Sequence, residues 1–276
     1  MSWEYGPATL RALAWARRRR VPVLVFSELT PWSDAALSGL QRSVHGVVAP
    51  RAAGFIVASS QGVERLRGLG VARERVEVAL QSAELGALRA GPRGSGGPVR
   101  VLFVGRLVAD KNLGALITAF ATAGFEEGEA ELELRGAGPL EEELRDLAGR
   151  LGVRVRFPGP VAAAELGDVY AGADVLALVS TYEPFGVTLR EGAAAGLPLI
   201  ASRRAGAVGD LAVDGENAIV IDPDDGGQIV SALTRLVRER DLRERLAAGS
   251  AAVTERHPLE ADVEAWERAV LRVVRA

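Results

Sequence analysis

From residue 99 onward, short β-rich runs alternate with helical stretches, and this alternation decides which folds are open to the chain. VRVLFVG (99–105) precedes the helical NLGALITAFAT, and ELELRG (131–136) precedes the charged PLEEELRDLAGRL. VRVRFPG (153–159) precedes AAAELGDVYAGA, after which come the runs DVLALV (174–179), LPLIAS (197–202) and AIVID (218–222). GVTLREGAAAG opens a helix ahead of LPLIAS. Strands and helices alternating through short connections imply right-handed βαβ units and an α/β fold with a parallel, doubly wound sheet. Such a sheet takes its ligands beyond the carboxyl ends of its strands. The last fifty residues read as three amphipathic helices rich in arginine and glutamate.

Ahead of that region stands GPRGSGGP (91–98), whose glycines and prolines sustain neither helix nor strand. With 276 residues the chain suits two domains. The expected division is an N-terminal domain over 1–92, a linker over 93–98, a ligand-binding domain over 99–256 and a C-terminal helix over 257–276 that packs back on the N-terminal domain. VPVLVFS (21–27), FIVASS (55–60) and VEVAL (76–80) supply the N-terminal strands. Three strands are few for an independent layered domain. The apolar surface they leave implies self-association or a complementary N-terminal chain.

Composition removes several classes of function. The chain has no cysteine, so disulfides, thiolate metal sites and cysteine nucleophiles are excluded. A net charge of −3 and 5% aromatic residues argue against nucleic acid as a partner. No apolar run reaches the length of a membrane span, and MSWEYGPATL lacks a charged segment leading into an apolar one. A cytoplasmic location is expected, and the arginine and alanine bias suggests a GC-rich bacterial genome. ARRRR (16–20), near Trp3, Tyr5 and Trp15, suits either peripheral contact with anionic lipid or a solvated helix end, and the second reading is preferred. His45 and His257 have no ligand spacing, so no metal site is expected.

Lys111 is the only lysine among thirty-three lysine and arginine side chains. It follows the turn Val104-Gly105-Arg106 at the end of the first strand of the C-terminal region, and is expected to stand at the start of the next helix with Asp110 as cap. Arg106, Lys111 and a helix N-terminus together suit a diphosphate, although on the turn alone a solvated loop is the preferred reading. Glu183 and Glu191 stand eight positions apart in STYEPFGVTLREGAAAGLPLIAS (180–202). Eight helical residues rise about 12 Å, beyond the roughly 5–9.5 Å of glycosidase carboxyl pairs. Two separate acceptors along a hydroxyl-rich ligand fit better. Asp222-Pro223-Asp224-Asp225 reads as a strand-to-helix turn with an N-cap.

Taken in order, Gly105-Arg106 with Lys111, RGAGPLEEEL, FPGPV, EPFGVTLRE, GLPLIAS and VDGENAIVIDPDD resemble the nucleotide-sugar-binding half of family 4 glycosyltransferases over about residues 98–240. The resemblance implies a GT-B-like fold. Its C-terminal part would be a doubly wound, Rossmann-like parallel-sheet domain, and its N-terminal part an incomplete Rossmann-like domain. It also implies retaining sugar transfer from a nucleoside-diphosphate sugar to an unknown acceptor (glycan, lipid or small molecule), with no cofactor and no obligatory metal. By the same resemblance, Arg106 and Lys111 hold the donor diphosphate, Glu183 the sugar hydroxyls and Glu191 the ribose. The backbone of Gly105 and the N–H groups of Phe185, Gly186 and Val187 line the donor site, and Arg106, Lys111 and Glu183 carry catalysis.

The N-terminal part resembles the second half of the family's acceptor domain, in VPVLVFSELT and in GFIVASSQGVERLRGLGVARERVEVALQSAEL. It departs from that pattern. Phe26-Ser27-Glu28 stands where a histidine is usual, and the family's first strands and glycine-rich loop have no counterpart. RRAGAVGD replaces Gly-Gly-x-x-Glu, with Asp210 in place of the glutamate. A non-catalytic nucleotide-sugar-binding subunit, or one part of a split glycosyltransferase, is therefore the alternative expectation.

Overall fold

The computed structural model describes residues 6–81, 88 and 96–275. The expected linker at 93–98 lies partly outside them, as do Trp3 and Tyr5. The chain divides into two compact units, residues 1–82 with 257–276, and residues 83–256.

The first unit is built on three parallel strands in the order β1-β2-β3: β1 (Leu24–Ser27), β2 (Gly54–Val57) and β3 (Val76–Val78). β2 is central, and all four of its residues are buried, as expected of a strand covered on both faces. Helices α1 (Pro7–Arg19), α2 (Gly39–Arg51) and α3 (Ser60–Gly68) supply the apolar layer in which Leu13, Val44, Val48 and Leu66 pack with Phe55, Val57 and Val76. Fully burying one such side chain contributes about 1.5–3 kcal/mol. Arg17, Arg18 and Arg19 form the last turn of α1, where cations complement the helix dipole.

α2 is not apparent from the hydrophobic pattern, because Gly39, Gly46 and Pro50 dilute its periodicity. Its signal is a capping box. Gln41 N–H donates to Ser38 Oγ at 3.3 Å, and Ser38 N–H donates to Gln41 Oε1 at 2.8 Å.

The second unit carries six parallel strands. They are β4 (Val99–Val104), β5 (Ala130–Arg135), β6 (Val155–Gly159), β7 (Val175–Leu178), β8 (Leu199–Ser202) and β9 (Ala218–Ile221), in the order β6-β5-β4-β7-β8-β9. β7 and β8 are buried at every residue, which matches their unbroken apolar runs. β5 alternates instead. Leu132 and Leu134 are buried, whereas Glu133 and Arg135 pair at 2.5 Å on the other face.

Helices α4 (Leu113–Thr122), α5 (Glu141–Leu151), α6 (Leu166–Ala171), α7 (Val187–Ala194), α8 (Gly226–Arg238) and α9 (Arg240–Arg256) connect and cover these strands. α5 begins with Glu141, Glu142 and Glu143, has Arg150 in its last turn and stops at Gly152, whose φ of 68° closes the helix in the left-handed region. The long helix expected over 162–173 is a short 3₁₀ turn, Ala163–Glu165, followed by the six-residue α6. Gly167 and Gly172 oppose a longer one.

The order of the sheet reverses direction between β4 and β7. In doubly wound sheets the ligand crevice opens outside the carboxyl ends of the two strands at that switch point. The last helix, α10 (Leu259–Arg275), returns to the first unit, where Ala265 and Ala269 pack with Ile56 and Ala79. Asp262 accepts a hydrogen bond from Leu80 N–H at 2.8 Å.

Candidate functional site

The chain leaves β4 at Gly105 and runs alongside the loop that follows β5. Gly105 N–H donates to Arg135 O at 2.9 Å and Leu107 N–H to Ala137 O at 3.0 Å. The approach is so close that a Cβ on Gly136 would lie 1.8 Å from Gly105 O. The glycine of RGAG is therefore a steric requirement of the loop that carries Arg106. Arg106 itself is exposed, and its carbonyl accepts from Val108 N–H at 3.1 Å.

Next comes a 3₁₀ turn, Ala109–Lys111. Lys111 thus closes this turn and does not open α4, and Asp110 is not the helix cap. Asn112 holds the N-cap position at φ 56°, and its Nδ2 donates to Val179 O at 3.3 Å and Pro223 O at 2.9 Å. An asparagine tolerates the left-handed region, and here its amide joins the ends of three strand connections. Asp110 contributes its carbonyl, which accepts from Thr181 N–H at 2.9 Å.

This Thr181 contact brings the loop after β7 against the loop after β4. It sets Glu183 beside Lys111, and Lys111 Nζ is ion-paired with Glu183 Oε2. Both side chains are largely enclosed, with exposures of 16% and 12%. At such burial the Coulomb attraction is stronger than at the surface, but each partner has given up hydration. A ligand offering a phosphate to one and hydroxyls to the other would meet both needs.

The segment following Glu183 is held by the loop after β8. Gly206 N–H donates to Glu183 O at 3.1 Å and Ala207 N–H to Phe185 O at 2.8 Å. A Cβ on Gly206 would lie 2.0 Å from Pro184 O, so RRAGAVGD needs glycine there. Phe185 is buried, and Gly186, at φ 97°, is the N-cap of α7. The first N–H groups of α7, beginning at Val187, have no intrahelical acceptor. Asp210 lies in the turn beyond, its N–H bonded to Ala207 O at 3.3 Å.

Glu191 sits in the second turn of α7. Tyr170 on α6 is fully buried and donates its hydroxyl to Glu191 Oε2 at 2.6 Å. Burial pushes the Glu191 carboxyl up from its ordinary range, and the tyrosine hydrogen bond pulls it partly back. Burial, with the neighbouring carboxylate, pushes the Tyr170 hydroxyl far up, so it remains a donor. Tyr170 is the principal side chain that sequence reasoning missed, since nothing in VYAGADV marks its hydroxyl as directed to a glutamate 21 positions away.

The remaining candidates lie elsewhere. Arg203 pairs with Asp222 at 2.5 Å and Arg204 with Asp224, at the ends of β8 and β9. Asp225 accepts from Gln228 N–H at 3.1 Å as the N-cap of α8. The acidic run is thereby occupied as a turn. In the first unit, Ser27 Oγ accepts from Leu29 N–H at 3.2 Å, and Glu28 accepts from Gln81. His45 faces Arg65 at 2.7 Å, and Arg65 donates to Asp34 at 2.9 Å. Among the described residues no helix is long and apolar enough to cross a membrane.

Two parallel α/β units, one of them doubly wound with polar residues gathered at its switch point, define the GT-B architecture. Residues 89–252 match the family described as Glycosyl transferases group 1, and the chain belongs to that family.

Among curated relatives, it is 35% identical over 146 residues to an uncharacterized glycosyltransferase of Methanocaldococcus jannaschii, covering 52% of this chain and 37% of that protein. It is 36% identical over 168 residues to the D-inositol 3-phosphate glycosyltransferase of Thermomonospora curvata, covering 54% and 37%. The chain thus spans little more than a third of the length of these relatives. Among solved structures, Anabaena Alr3699/HepE in complex with UDP superposes with a TM-score of 0.83 at 20% identity, covering 95% of this chain and 76% of that one. Sucrose-phosphate synthase from Thermosynechococcus elongatus gives 0.79 at 20% identity, covering 95% and 71%.

Proposed function

We propose that this chain binds a nucleoside-diphosphate sugar at the β4–β7 switch point and transfers the sugar, with retention and without a metal ion, to an acceptor hydroxyl, as family 4 glycosyltransferases do. The observation that carries this reading is the meeting of Lys111 and Glu183 at the strand ends beside the Arg106 loop. A cation for a phosphate and a carboxylate for sugar hydroxyls are what a sugar diphosphate requires side by side. The UDP bound by the Anabaena neighbour supports a nucleotide of this kind.

In this reading Lys111 exchanges Glu183 for the diphosphate as the donor enters, and Arg106 joins it from the exposed side of the loop. Glu183 then accepts hydrogen bonds from the sugar. The N–H groups of Phe185, Gly186 and Val187 point their partial positive charge at the same place. The bond from the anomeric carbon to the phosphate oxygen breaks, and a new bond forms on the same face to the acceptor oxygen, which loses its proton. Negative charge grows on the departing diphosphate, and Arg106 and Lys111 neutralise it there. Preorganised donors of this sort contribute about 10²–10³ in rate each. Glu191, with Oε2 held by Tyr170, offers Oε1 to a ribose hydroxyl.

Incubating the protein with UDP-, GDP-, ADP- and dTDP-glucose and following anomeric proton signals by NMR tests this reading. Slow hydrolysis of one donor to nucleoside diphosphate and free glucose is expected, with water as acceptor, and the first anomer to appear, before mutarotation equilibrates it, should be α. A β anomer appearing first would overturn retention, and donor binding without any consumption would favour a binding subunit.

A further inference from the structure

The arginines of RRAGAVGD and the acidic run Asp222-Pro223-Asp224 meet at the carboxyl ends of β8 and β9. Arg203 N–H continues the β8–β9 ladder, donating to Ile221 O at 2.9 Å. Three residues later the same backbone has crossed to the loop after β7. There Gly206 N–H donates to Glu183 O at 3.1 Å, and Ala205 pairs with Glu183 as a short parallel bridge. Arg204 stands midway in that crossing. Its N–H donates to Ser202 Oγ at 3.2 Å, and its guanidinium lies 3.6 Å from Asp222 and pairs with Asp224.

The side chains of Arg204 and Asp222 are largely enclosed, with exposures of 21% and 23%. An isolated surface pair contributes little, but one planar guanidinium between two carboxylates of a single turn makes a network of defined geometry. The turn is gripped from its other side as well, because Pro223 O accepts from Asn112 Nδ2 at 2.9 Å. A closed circuit of contacts results. It runs from Lys111 through Asn112 to the 222–224 turn, and through Arg204 to the loop after β8. From Gly206 it passes to Glu183, and the ion pair returns it to Lys111.

The two arms of this circuit end on different chemistry. Asn112 adjoins the cation, whereas Arg204 is two residues from the N–H that holds the backbone of the carboxylate. On the reading that Lys111 meets the diphosphate and Glu183 the sugar, we propose that Arg204 is a positioning residue for sugar recognition. It anchors the loop after β8 to the 222–224 turn, and that loop sets Glu183 against the sugar of a nucleoside-diphosphate sugar. Cutting the Arg204 arm leaves the Asn112 contact and Lys111 in place. The diphosphate should then still bind, while the sugar loses its acceptor.

The test is calorimetry on the whole chain, with whichever of UDP, GDP, ADP and dTDP the parent selects and with the glucose, galactose and mannose esters of that diphosphate. Arg204→Gln should weaken the tightest ester about tenfold, the loss of one well-placed charge-assisted bond, and change the diphosphate by no more than about twofold. Asp224→Asn, at an exposed position, opens the same arm and should show the same split in smaller measure. Glu183→Gln should weaken the ester to a similar degree. The double variant Arg204→Gln/Glu183→Gln should bind the ester no more weakly than Glu183→Gln alone, because one residue acts through the other. Equal weakening of diphosphate and ester, full affinity for the ester in Arg204→Gln, or additive losses in the double variant would overturn the positioning role while leaving the donor site standing. Failure of all four diphosphates to bind the parent would overturn the donor site, and this role with it.

Discussion

Lys111 and Glu183 stand 72 positions apart in the chain and are ion-paired at the switch point of the six-stranded sheet. Two loops from non-consecutive strands meet there, joined by the Thr181–Asp110 backbone hydrogen bond. The pair explains why a lysine persists in a chain otherwise furnished with arginine. A flexible ammonium can turn from a carboxylate to a phosphate within one site, whereas a planar guanidinium is bound to a fixed fork.

Replacing this lysine should therefore separate charge from shape. Lys111→Ala should weaken nucleoside-diphosphate binding about 10- to 100-fold, the loss of one charge-assisted contact. Lys111→Arg should lose less, because it keeps the charge. Calorimetric dissociation constants for both variants check the prediction.

Tyr170 should act on Glu191 in a pH-dependent way. Glu191 must be a carboxylate to accept from a ribose; burial raises it, and the Tyr170 hydrogen bond lowers it. Tyr170→Phe removes the lowering contact, so the pH below which nucleotide binding fades should move upward relative to the parent. Binding constants measured between pH 5 and 8 on both proteins, the range in which buried carboxyls commonly titrate, would show this displacement. Coincident profiles would rule out Tyr170 as the residue that positions this carboxylate.

Gly136→Ala should damage fold and site together. Its new Cβ would lie 1.8 Å from Gly105 O, and the residue already sits at φ 149°. The Arg106 loop must move, at an expected cost of about 2 kcal/mol or more. A lowered melting temperature with weakened nucleotide binding is the predicted combination.

His45 gives a separate pH signal in the first unit. Burial, assisted by the Arg65 guanidinium and opposed by Asp34, lowers its pKa from 6.5 to about 4. The folded state thus disfavours the protonated ring, so this contribution is fully present above pH 6.5 and is lost as pH falls toward 4. His45→Gln should show a smaller decline of melting temperature over that window than the parent.

The sheet was legible because parallel strands covered on both faces must be unbroken apolar runs. DVLALV and LPLIAS could hardly be anything else, and their glycine-rich ends announced the loops of the site. Arg106, Lys111 and Glu183 stood out as charges at strand ends, and Glu191 as a carboxylate in the helix that follows. What brings Lys111 to Glu183 and Tyr170 to Glu191 was not legible, since both contacts depend on strand order across the switch point. The part played by Asn112 was hidden in the same way, and Asp110 looked the better cap because its side chain commonly serves as one. α2 was obscured by glycine and proline within it, and its capping box was the remaining clue.

The most direct test of a donor site at the β4–β7 switch point is a calorimetric titration of UDP, GDP, ADP and dTDP into the intact chain and its Lys111→Ala variant. One diphosphate should bind selectively to the parent and at least about tenfold more weakly to the variant. Binding of equal strength to both proteins, or no binding of any of the four, would contradict the account.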